Sequence, residues 1–525
     1  MDSIEIIEKL NILVEKFKTN LAGYKRDDVA YNEHSCRIEY IDPFLGLLGW
    51  DVSNTKGLPP HFREVIAEHY TAEKDRPDYS LTLRGVAKFF VEAKKPAVDI
   101  SLNKESACQA RKYGWNANHK IVVLTNFEYF IVYDTTIMPQ EEDDAKVARY
   151  RIYHFSEYKE KFHEISSLLS RDSVYSGAFD DCLESLLPEE GRHRQKVDSV
   201  FLSQIDRWRV LIGQNLYFKS PRYEIGDALN DVVQDFVNQI IFLRICEEKN
   251  LPLYHKLSET IIDPGELVKK FRELFSAADS RYNAGLFSGS AIFSELDQNI
   301  IIEIVESLYY PKSPYLFNII EPGLMGKIYE QFLTTKLVKD CETERNVGLA
   351  RKEEFSDRAI VATPVEIVKY MVEKSLAGIC GNKTPEEILS LRIADIACGS
   401  GVFLDGAFSY LNDYCIEWYL LNDPKHLIEI GNGRYKLPLE EKKEILCSCI
   451  YGIDIDIHAV EVAKFTLLLR LIEDETGPSV TESNPVLPDL GLNIMHGNSL
   501  ICMEDFGKVI ISENDRTTVK GRCIG

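Results

Sequence analysis

The chain has 525 residues, too many for one hydrophobic core, and roughly three or four domains are the starting expectation. Its 45% hydrophobic and 27% charged residues are ordinary for a soluble globular protein, and no apolar run approaches the roughly 20 residues of a membrane span. The formal charge of −22 excludes a generally basic nucleic-acid coat but not DNA binding through a local cleft, since residues 76–120 hold nine Lys/Arg against four Asp/Glu. Twelve cysteines are scattered without a CxxC pair, and the acidic start Met1-Asp-Ser-Ile-Glu is no signal peptide. Reduced thiols, a cytoplasmic location and no structural metal are expected.

Residues 1–20 predict an amphipathic helix with Ile4, Ile7, Leu10, Leu13, Val14 and Phe17 on one face. A second helix, over about 32–48, carries Glu33, Arg37 and Glu39, then Ile41, Phe44, Leu45 and Leu48, and Gly49 closes it. An irregular stretch with Pro59-Pro60 precedes four strand candidates at 77–83, 87–93, 119–125 and 129–134, with a helix over 103–116 among them. Residues 138–148 read as an acidic, solvated loop. The pattern is helical from about 157 to 337, most clearly over 225–248, and the polar residues 338–358 read as a linker. Thr363-Pro364 opens a helix to about 377, with Thr363 as N-cap and Pro364 at the first position.

Two constellations carry chemistry. In the first, Asp78 lies on the first strand candidate and Glu92-Ala-Lys94 ends the second. Residues two apart on a strand share a face, and a hairpin can bring Asp78 alongside. Two carboxylates and an ammonium suit a hard divalent ion such as Mg²⁺, which polarises a phosphoryl oxygen and makes hydroxide available near neutral pH. Lys94 can orient or deprotonate the attacking water. The alternative for Glu92-x-Lys94 alone is an exposed strand tip with a surface ion pair. Gln109 on the following helix and Glu33 upstream can face the same point.

The second constellation runs from Leu391 to Phe408: a short apolar strand with Asp395 near its end, a turn with Gly399 and Gly401, and a helix. A plain strand–turn–helix connection is the alternative. A second apolar strand ends in Asp454 and Asp456, before a helix over 459–472. Strand, glycine turn and helix bring backbone close to a nucleotide-like ligand, and an acid ending the next strand accepts hydrogen bonds from ribose hydroxyls. The turn Ala397-Cys-Gly-Ser-Gly401 lacks the third glycine of the dinucleotide pattern, which disfavours an oxidoreductase. S-adenosylmethionine has no pyrophosphate to cradle. Backbone near Ala397, Gly399 and Gly401 would meet its methionine part, Asp395 its ammonium region and Asp454 its ribose.

Residues 30–134 resemble the PD-(D/E)xK nucleases, specifically the amino-terminal nuclease of type I and type IIG restriction enzymes. The outline is a Glu-bearing helix ending in Leu-Leu-Gly-Trp-Asp, then Arg-Pro-Asp, Glu-Ala-Lys-Lys-Pro and Gln-Ala-x-x-Tyr. The resemblance implies that Asp78 and Glu92 are metal ligands, that Lys94 is catalytic, and that Gln109 and Glu33 belong to the catalytic group and the metal shell. Asp-x-Ala-Cys-Gly-Ser-Gly-x-Phe from Asp395 looks like motif I of amino DNA methyltransferases. That implies S-adenosylmethionine, with Thr363 as a cofactor contact and Asn498 of His496-Gly-Asn-Ser-Leu near the adenine. Where the family has an aromatic before Thr-Pro, this chain has Val361-Ala362. Phe242-Leu-Arg-Ile-Cys-Glu-Glu, Ala278-Asp-Ser-Arg-Tyr-Asn283 and Ile328-Tyr-Glu-Gln-Phe-Leu333 look like the type IIG connector.

The resemblance therefore implies an α/β multidomain chain: a nuclease domain over 1–155, a helical connector over 156–340 and a partial Rossmann-like methyltransferase domain over 341–525. The expected activities are Mg²⁺-dependent cleavage and adenine methylation of double-stranded DNA, with no membrane involved. The Asn/Asp/Ser-Pro-Pro-Tyr/Phe tetrapeptide of such methyltransferases is absent; Asn484-Pro485 is followed by Val486. A truncated or split reading frame, or a short subunit completed by a second chain, is the expectation. The alternative function is a non-catalytic remnant or subunit that binds S-adenosylmethionine and DNA or a partner.

Overall fold

The computed structural model describes residues 3–26, 31–58, 63–67, 76–83, 86–186, 196–220, 222–253, 255–282, 286–287, 292–309, 312–317, 334–339, 347–351, 363–431, 434–475, 477–480 and 485–500. It is a mixed α/β chain with a six-stranded and a three-stranded sheet, two hairpins and many helices. The Pro59-Pro60 stretch, Asn283, the 328–333 segment, Val361-Ala362, Asn484 and the tail from 501 lie outside the described residues.

Helix α1 spans Ser3–Tyr24. The next helical run, α2, has three parts: Glu33–Cys36, a π-helical turn Arg37–Ile41, and Asp42–Leu47. The sequence pattern predicts one continuous α-helix here. Instead the Asp42 N–H donates to the Arg37 carbonyl five residues back. Such an inserted residue rotates the later part of the helix by about 100°, and π-turns of this kind gather at functional sites.

The large sheet has the order β1 (Val65–Ala67), β2 (Tyr79–Leu83), β3 (Val86–Ala93), β4 (Ile121–Thr125), β5 (Tyr129–Asp134), β6 (Arg149–His154). Strands β1 and β6 are additions to the expected four; the first is three residues long and the second mixes arginines with aromatics, so neither alternates cleanly. Strands β3 and β4 are parallel, joined by α3 (Lys104–Asn116), and the other pairs are antiparallel. All five residues of β4 are buried, as a central strand covered on both faces requires. On one face Phe17, Phe44, Val91, Phe130 and Tyr158 pack α1, α2 and α4 (Tyr158–Leu169) against the sheet. On the other, Phe90, Ala110, Tyr113 and Leu124 pack beneath α3.

A third core gathers buried residues between Val197 and Ile494 together with Trp115 of α3. It holds α5 (Val197–Lys219), α6 (Asp227–Glu248) and α7 (Leu267–Tyr282). The expected linker or exposed loop over 338–358 is corrected in part: β7 (Thr335–Lys339) and β8 (Val347–Arg351) form an antiparallel hairpin, while 340–346 and 352–358 lie outside the described residues. Leu337 and Val347 are buried, the Leu337 N–H donates to Asn230 Oδ1 at 2.9 Å, and Leu337 fills the space over Gly213. These two residues, with Leu349 and the hydrogen bonds from Arg209 to Thr335, dock it on α5 and α6.

The same core continues under a three-stranded parallel sheet ordered β13–β12–β9, that is Ile494–His496, Ile450–Asp454 and Ile393–Asp395. Around it lie α8 (Val365–Cys380), α9 (Val402–Asn422), a small hairpin β10–β11 (Ile428–Gly431, Arg434–Lys436), α10 (Leu439–Cys449) and α11 (Ile457–Leu471). Pro364, not Thr363, occupies the capping position of α8, and no side chain caps that end. Proline there fixes φ for helix entry but contributes no capping oxygen. Among the described residues no helix is long and apolar enough to cross a membrane.

Candidate functional site

The first site sits on the α3 face of the large sheet. Alternation along β3 buries Phe89, Val91 and Ala93 in the α1–α2 core, so Phe90, Glu92 and Lys94 share the opposite face. Asp78 stands one step beyond the Tyr79–Val91 pair of the β2–β3 ladder, which sets it beside Glu92. Its Oδ2 accepts the Ala93 N–H at 2.7 Å. Lys94 Nζ lies 2.5 Å from Glu92 Oε1 and 3.9 Å from Glu33 Oε2. Asp78 just ahead of β2, Glu92 on β3, Lys94 just past its end and Glu33 on α2 are thus brought together.

Burial first, then the Asp78 carboxylate, pushes Glu92 up to about 8, with Lys94 pulling the other way. Burial and Asp78 likewise raise Glu33. Burial raises Asp78, opposed by Arg37, the Ala93 N–H and Lys94. For Lys94, burial alone would lower the ammonium's pKa, but Glu92, Glu33 and Asp78 outweigh it and raise it. Three carboxylates that disfavour one another's charge form a site short of positive charge. Glu92 Oε2 is buried with no hydrogen-bond partner, an orphan that a cation would satisfy. Among the described residues no three His, Cys, Asp or Glu form a ready cage for a metal. An ion that keeps its own waters and takes one or two carboxylates, as Mg²⁺ does, fits this donor set.

Gln109 lies on α3 over the same face, but its Nε2 donates to the Tyr113 hydroxyl at 3.0 Å, one turn along its own helix. Arg37, to which the sequence pattern assigns no role, is part of the site. Its Nη1 donates to Asp78 Oδ1 at 2.8 Å and its Nη2 to the Asp78 carbonyl at 3.3 Å. The available signal is its place one helical turn after Glu33. The turn after β4 is a second such feature. The Thr125 carbonyl accepts the Lys94 N–H at 2.9 Å, and Asn126 Nδ2 donates to the Val98 carbonyl at 2.8 Å, so this turn holds the backbone on which Lys94 stands.

The second site lies at the carboxyl edge of the small parallel sheet, the usual ligand crevice of α/β sheets. Asp395 and Asp454 end adjacent strands, and the Gly497 N–H donates to the Asp454 carbonyl at 2.9 Å. Gly399 and Gly401 have φ of +52° and +84°, the left-handed region that favours glycine. At Gly401 a Cβ would also stand 2.9 Å from the Ala463 Cβ on α11, so glycine permits the close packing of turn and helix. At Gly399 a Cβ would meet nothing within 4 Å, which leaves open space over the turn.

The acids here are tied to backbone. Asp454 accepts the Gly399 N–H on Oδ2 at 2.8 Å and the Asp456 N–H on Oδ1 at 2.9 Å. Asp395 Oδ1 accepts the Ala397 N–H at 3.1 Å. Asn498 is exposed, and its Oδ1 accepts the Leu500 N–H at 3.0 Å, as a turn residue's would. Thr363 is half-buried just ahead of α8. Ile455, next to Asp454, is 70% exposed and offers apolar surface that the sequence pattern does not single out.

The chain is 41% identical over 504 residues to the type II restriction enzyme and methyltransferase RM.Eco57I of Escherichia coli, covering 94% of this chain and 49% of that protein. It therefore spans about half the length of this curated relative, and the resemblance to restriction-modification proteins extends over nearly all of it. No family model matches. Among solved structures, the cryoEM structure of a DrdV–DNA complex aligns over 95% of this chain and 40% of that one, at 14% identity and a TM-score of 0.31. The type IIG restriction endonuclease BpuSI aligns over 86% and 43%, at 12% identity and a TM-score of 0.27. Likeness that loose carries no argument about this fold.

Proposed function

We propose that this chain, a homologue of a type II restriction enzyme and methyltransferase over most of its length, combines a Mg²⁺-dependent DNA endonuclease with an S-adenosylmethionine-binding half of a DNA adenine methyltransferase, as type IIG enzymes do. On this reading residues 1–155 are a PD-(D/E)xK nuclease domain, 156–340 a helical connector and 341–525 part of a Rossmann-like methyltransferase domain. The observation that carries the nuclease half is the cluster of half-buried Asp78 and Lys94 around buried Glu92, with its orphaned Glu92 oxygen.

Asp78 and Glu92, with Glu33 at the margin, would hold the ion. A bound Mg²⁺ supplies Lewis-acid polarisation of the phosphodiester and a more acidic water. Lys94, kept protonated by its three carboxylate neighbours, stabilises charge that develops on the phosphorane and orients the attacking water. Gln109 approaches the site only after leaving Tyr113. Plasmid cleavage with Mg²⁺ tests this: the wild type nicks or linearises DNA, and Glu92→Ala combined with Lys94→Ala does not. Equal cleavage by both removes the assignment.

For the second site, the open space over Gly399, the carboxyl-edge acids and exposed Ile455 support a nucleoside ligand with an amino-acid tail. S-adenosylmethionine supplies an electrophilic methyl group when bound. Asp395 would face its ammonium, the backbone at Ala397, Gly399 and Gly401 its methionine part, Asp454 the ribose hydroxyls, and Thr363 and Asn498 would flank it. Asp454 must share its oxygens with the Gly399 and Asp456 amides, so it binds as an acceptor already aimed by the turn. Calorimetric titration with S-adenosylmethionine should give heat for the wild type and little for Asp454→Ala. A flat wild-type titration removes the cofactor.

The second reading, a non-catalytic module that binds S-adenosylmethionine and docks DNA or a partner chain, is favoured by one feature. Strand β9 has no described neighbour on its outer side, Ile396 just after it is exposed, and Ile367, Tyr370 and Met371 leave an exposed apolar stretch on α8. An open strand edge accepts further strands, from a longer chain or a second one, and exposed apolar surface marks an interaction face. Light scattering decides: self-association or capture of the complementary methyltransferase segment is expected, and a monodisperse monomer indifferent to that segment counts against it.

A further inference from the structure

Arg37 is 8% exposed, and its guanidinium makes four described contacts. Nη1 and Nη2 donate to the Asp78 carboxylate and carbonyl at 2.8 and 3.3 Å. Nε donates to the Tyr79 hydroxyl at 3.2 Å, and the guanidinium carbon lies 4.5 Å from the centroid of the Tyr79 ring. The same hydroxyl donates to Asp42 Oδ1 at 2.6 Å. The π-turn accounts for the arrangement. The inserted residue rotates Asp42 back towards the face that carries Glu33 and Arg37, so all three address the start of β2. One planar fork thereby fixes both the carboxylate and the backbone of Asp78 in a set geometry, which an ammonium's three donors on a flexible stem do not impose.

Charge gives Arg37 a second consequence. Glu33, Asp78 and Glu92 carry three negative charges when ionised, and Lys94 answers one. Arg37 answers another, so these five groups leave one negative charge in excess; Asp42, joined to Arg37 through the Tyr79 hydroxyl, adds a further negative charge beside Arg37. A single divalent cation reverses the excess of the five groups; a second would leave them an uncompensated charge of three. Each Asp78 oxygen already accepts one strong hydrogen bond, from Arg37 on Oδ1 and from Ala93 on Oδ2.

Resting on the nuclease reading above, we infer that Arg37 is a positioning residue that aims Asp78 and serves as the fixed cation that limits this centre to one divalent ion. The test uses the full chain, with Mn²⁺ as probe. Free Mn²⁺ is counted by electron paramagnetic resonance without DNA, and Mg²⁺-dependent plasmid cleavage is measured separately. The wild type should bind one Mn²⁺ at this centre, lost in Glu92→Ala. Arg37→Met should bind a second ion while its maximal cleavage rate falls about 100-fold with little change in KM, as misplacement of a catalytic group predicts. Arg37→Lys should restore the single ion, because charge returns, but not the rate, because the fork does not. Tyr79→Phe, which keeps the ring, should cost less than either, and cooperative melting of each variant guards against simple misfolding. A wild type that binds two ions here, or an Arg37→Met variant with unchanged stoichiometry and rate, overturns the inference and leaves the nuclease reading standing. A wild type that binds no Mn²⁺ overturns both.

Discussion

The two sites are built in opposite ways. At the first site Glu92 is buried, Asp78 and Lys94 are half-buried, and the group is drawn together by side-chain contacts between distant segments: Arg37 lies 41 positions from Asp78 in sequence. At Gly399 and Asp454 the groups are half-exposed, and their partners are backbone amides of the turns beside them. The first site stores unfavourable charge that an ion relieves. The second stores conformational restriction that glycine permits. Substitutions at the first should therefore act through charge and chemistry, and at the second through backbone shape.

The largest effect should come from Lys94→Ala, which removes the ammonium facing Glu92 and Glu33. Cleavage is expected to fall by about 10²–10⁴-fold, the range for a lost acid–base or charge-stabilising group. Calorimetry with S-adenosylmethionine should be unaltered. If both sites weakened together, the contrast would be wrong and the chain would behave as one cooperative site. Next is Gly401→Ala. It forces a side chain into φ of +84° and within 2.9 Å of Ala463, so a loss of about 1–3 kcal/mol is expected. That loss should appear as weaker cofactor binding and a lower melting temperature, while Mn²⁺ binding at Glu92 stays as in the wild type.

The same contrast explains what can be read from the chain. The glycine site is written locally: Asp395, Gly399, Gly401 and Asp454 occupy the strand ends and turn that their order predicts. Helices with clean periodicity are also legible, with α3 and α6 within two residues of expectation. At the buried site the strand pattern places Asp78, Glu92 and Lys94 together, because alternation and a hairpin suffice. Arg37 escapes such reading because its importance depends on a π-turn, and no spacing rule announces an inserted residue. The β7–β8 hairpin escapes it because only Leu337 and Val347 are fully buried within a polar segment, and its other anchors, Leu349 and hydrogen bonds to Arg209 and Asn230, leave no periodic pattern. Thr363 reads as a cap because Thr-Pro satisfies both capping rules, but backbone geometry chose the proline.

A smaller effect separates stability from function. Burial pushes Glu92 up to about 8, far above an ordinary carboxylate, so the fold favours its protonated form. Its contribution is therefore fully present below about 4.5 and is lost as pH rises through 8. Without divalent ions, Glu92→Gln should raise stability by about 1–2 kcal/mol at pH 8, because an amide is less costly to bury than an unsatisfied carboxylate, and by less at pH 6. Excess Mg²⁺ should erase the advantage by stabilising only the wild type. Asp454→Asn, whose oxygens are tied to turn amides, should show no such crossover between metal-free and metal-bound melts. Denaturant titrations at the two pH values measure all four arms, and a Gln variant less stable than wild type at pH 8 would break the account of stored charge.

The smallest effect is invisible at neutral pH and belongs to the large sheet. The His119 ring packs on Phe90 with centroids 4.4 Å apart. Burial holds its imidazole down at about 4, against a hydrogen bond to Ala87 and aided by Lys88. A base depressed in the fold stabilises it fully above its unfolded value of about 6.5 and loses that contribution as pH falls towards 4. His119→Gln cannot titrate, so its melting temperature should fall less steeply than the wild type's between pH 6.5 and 4.5. Carboxylates common to both proteins cancel in the difference. Because His119 packs on Phe90 of β3, which also carries Glu92, acid should expose the Phe90 core before it affects cofactor binding at the glycine turn. Parallel melting curves for the two proteins would assign acid sensitivity to other groups.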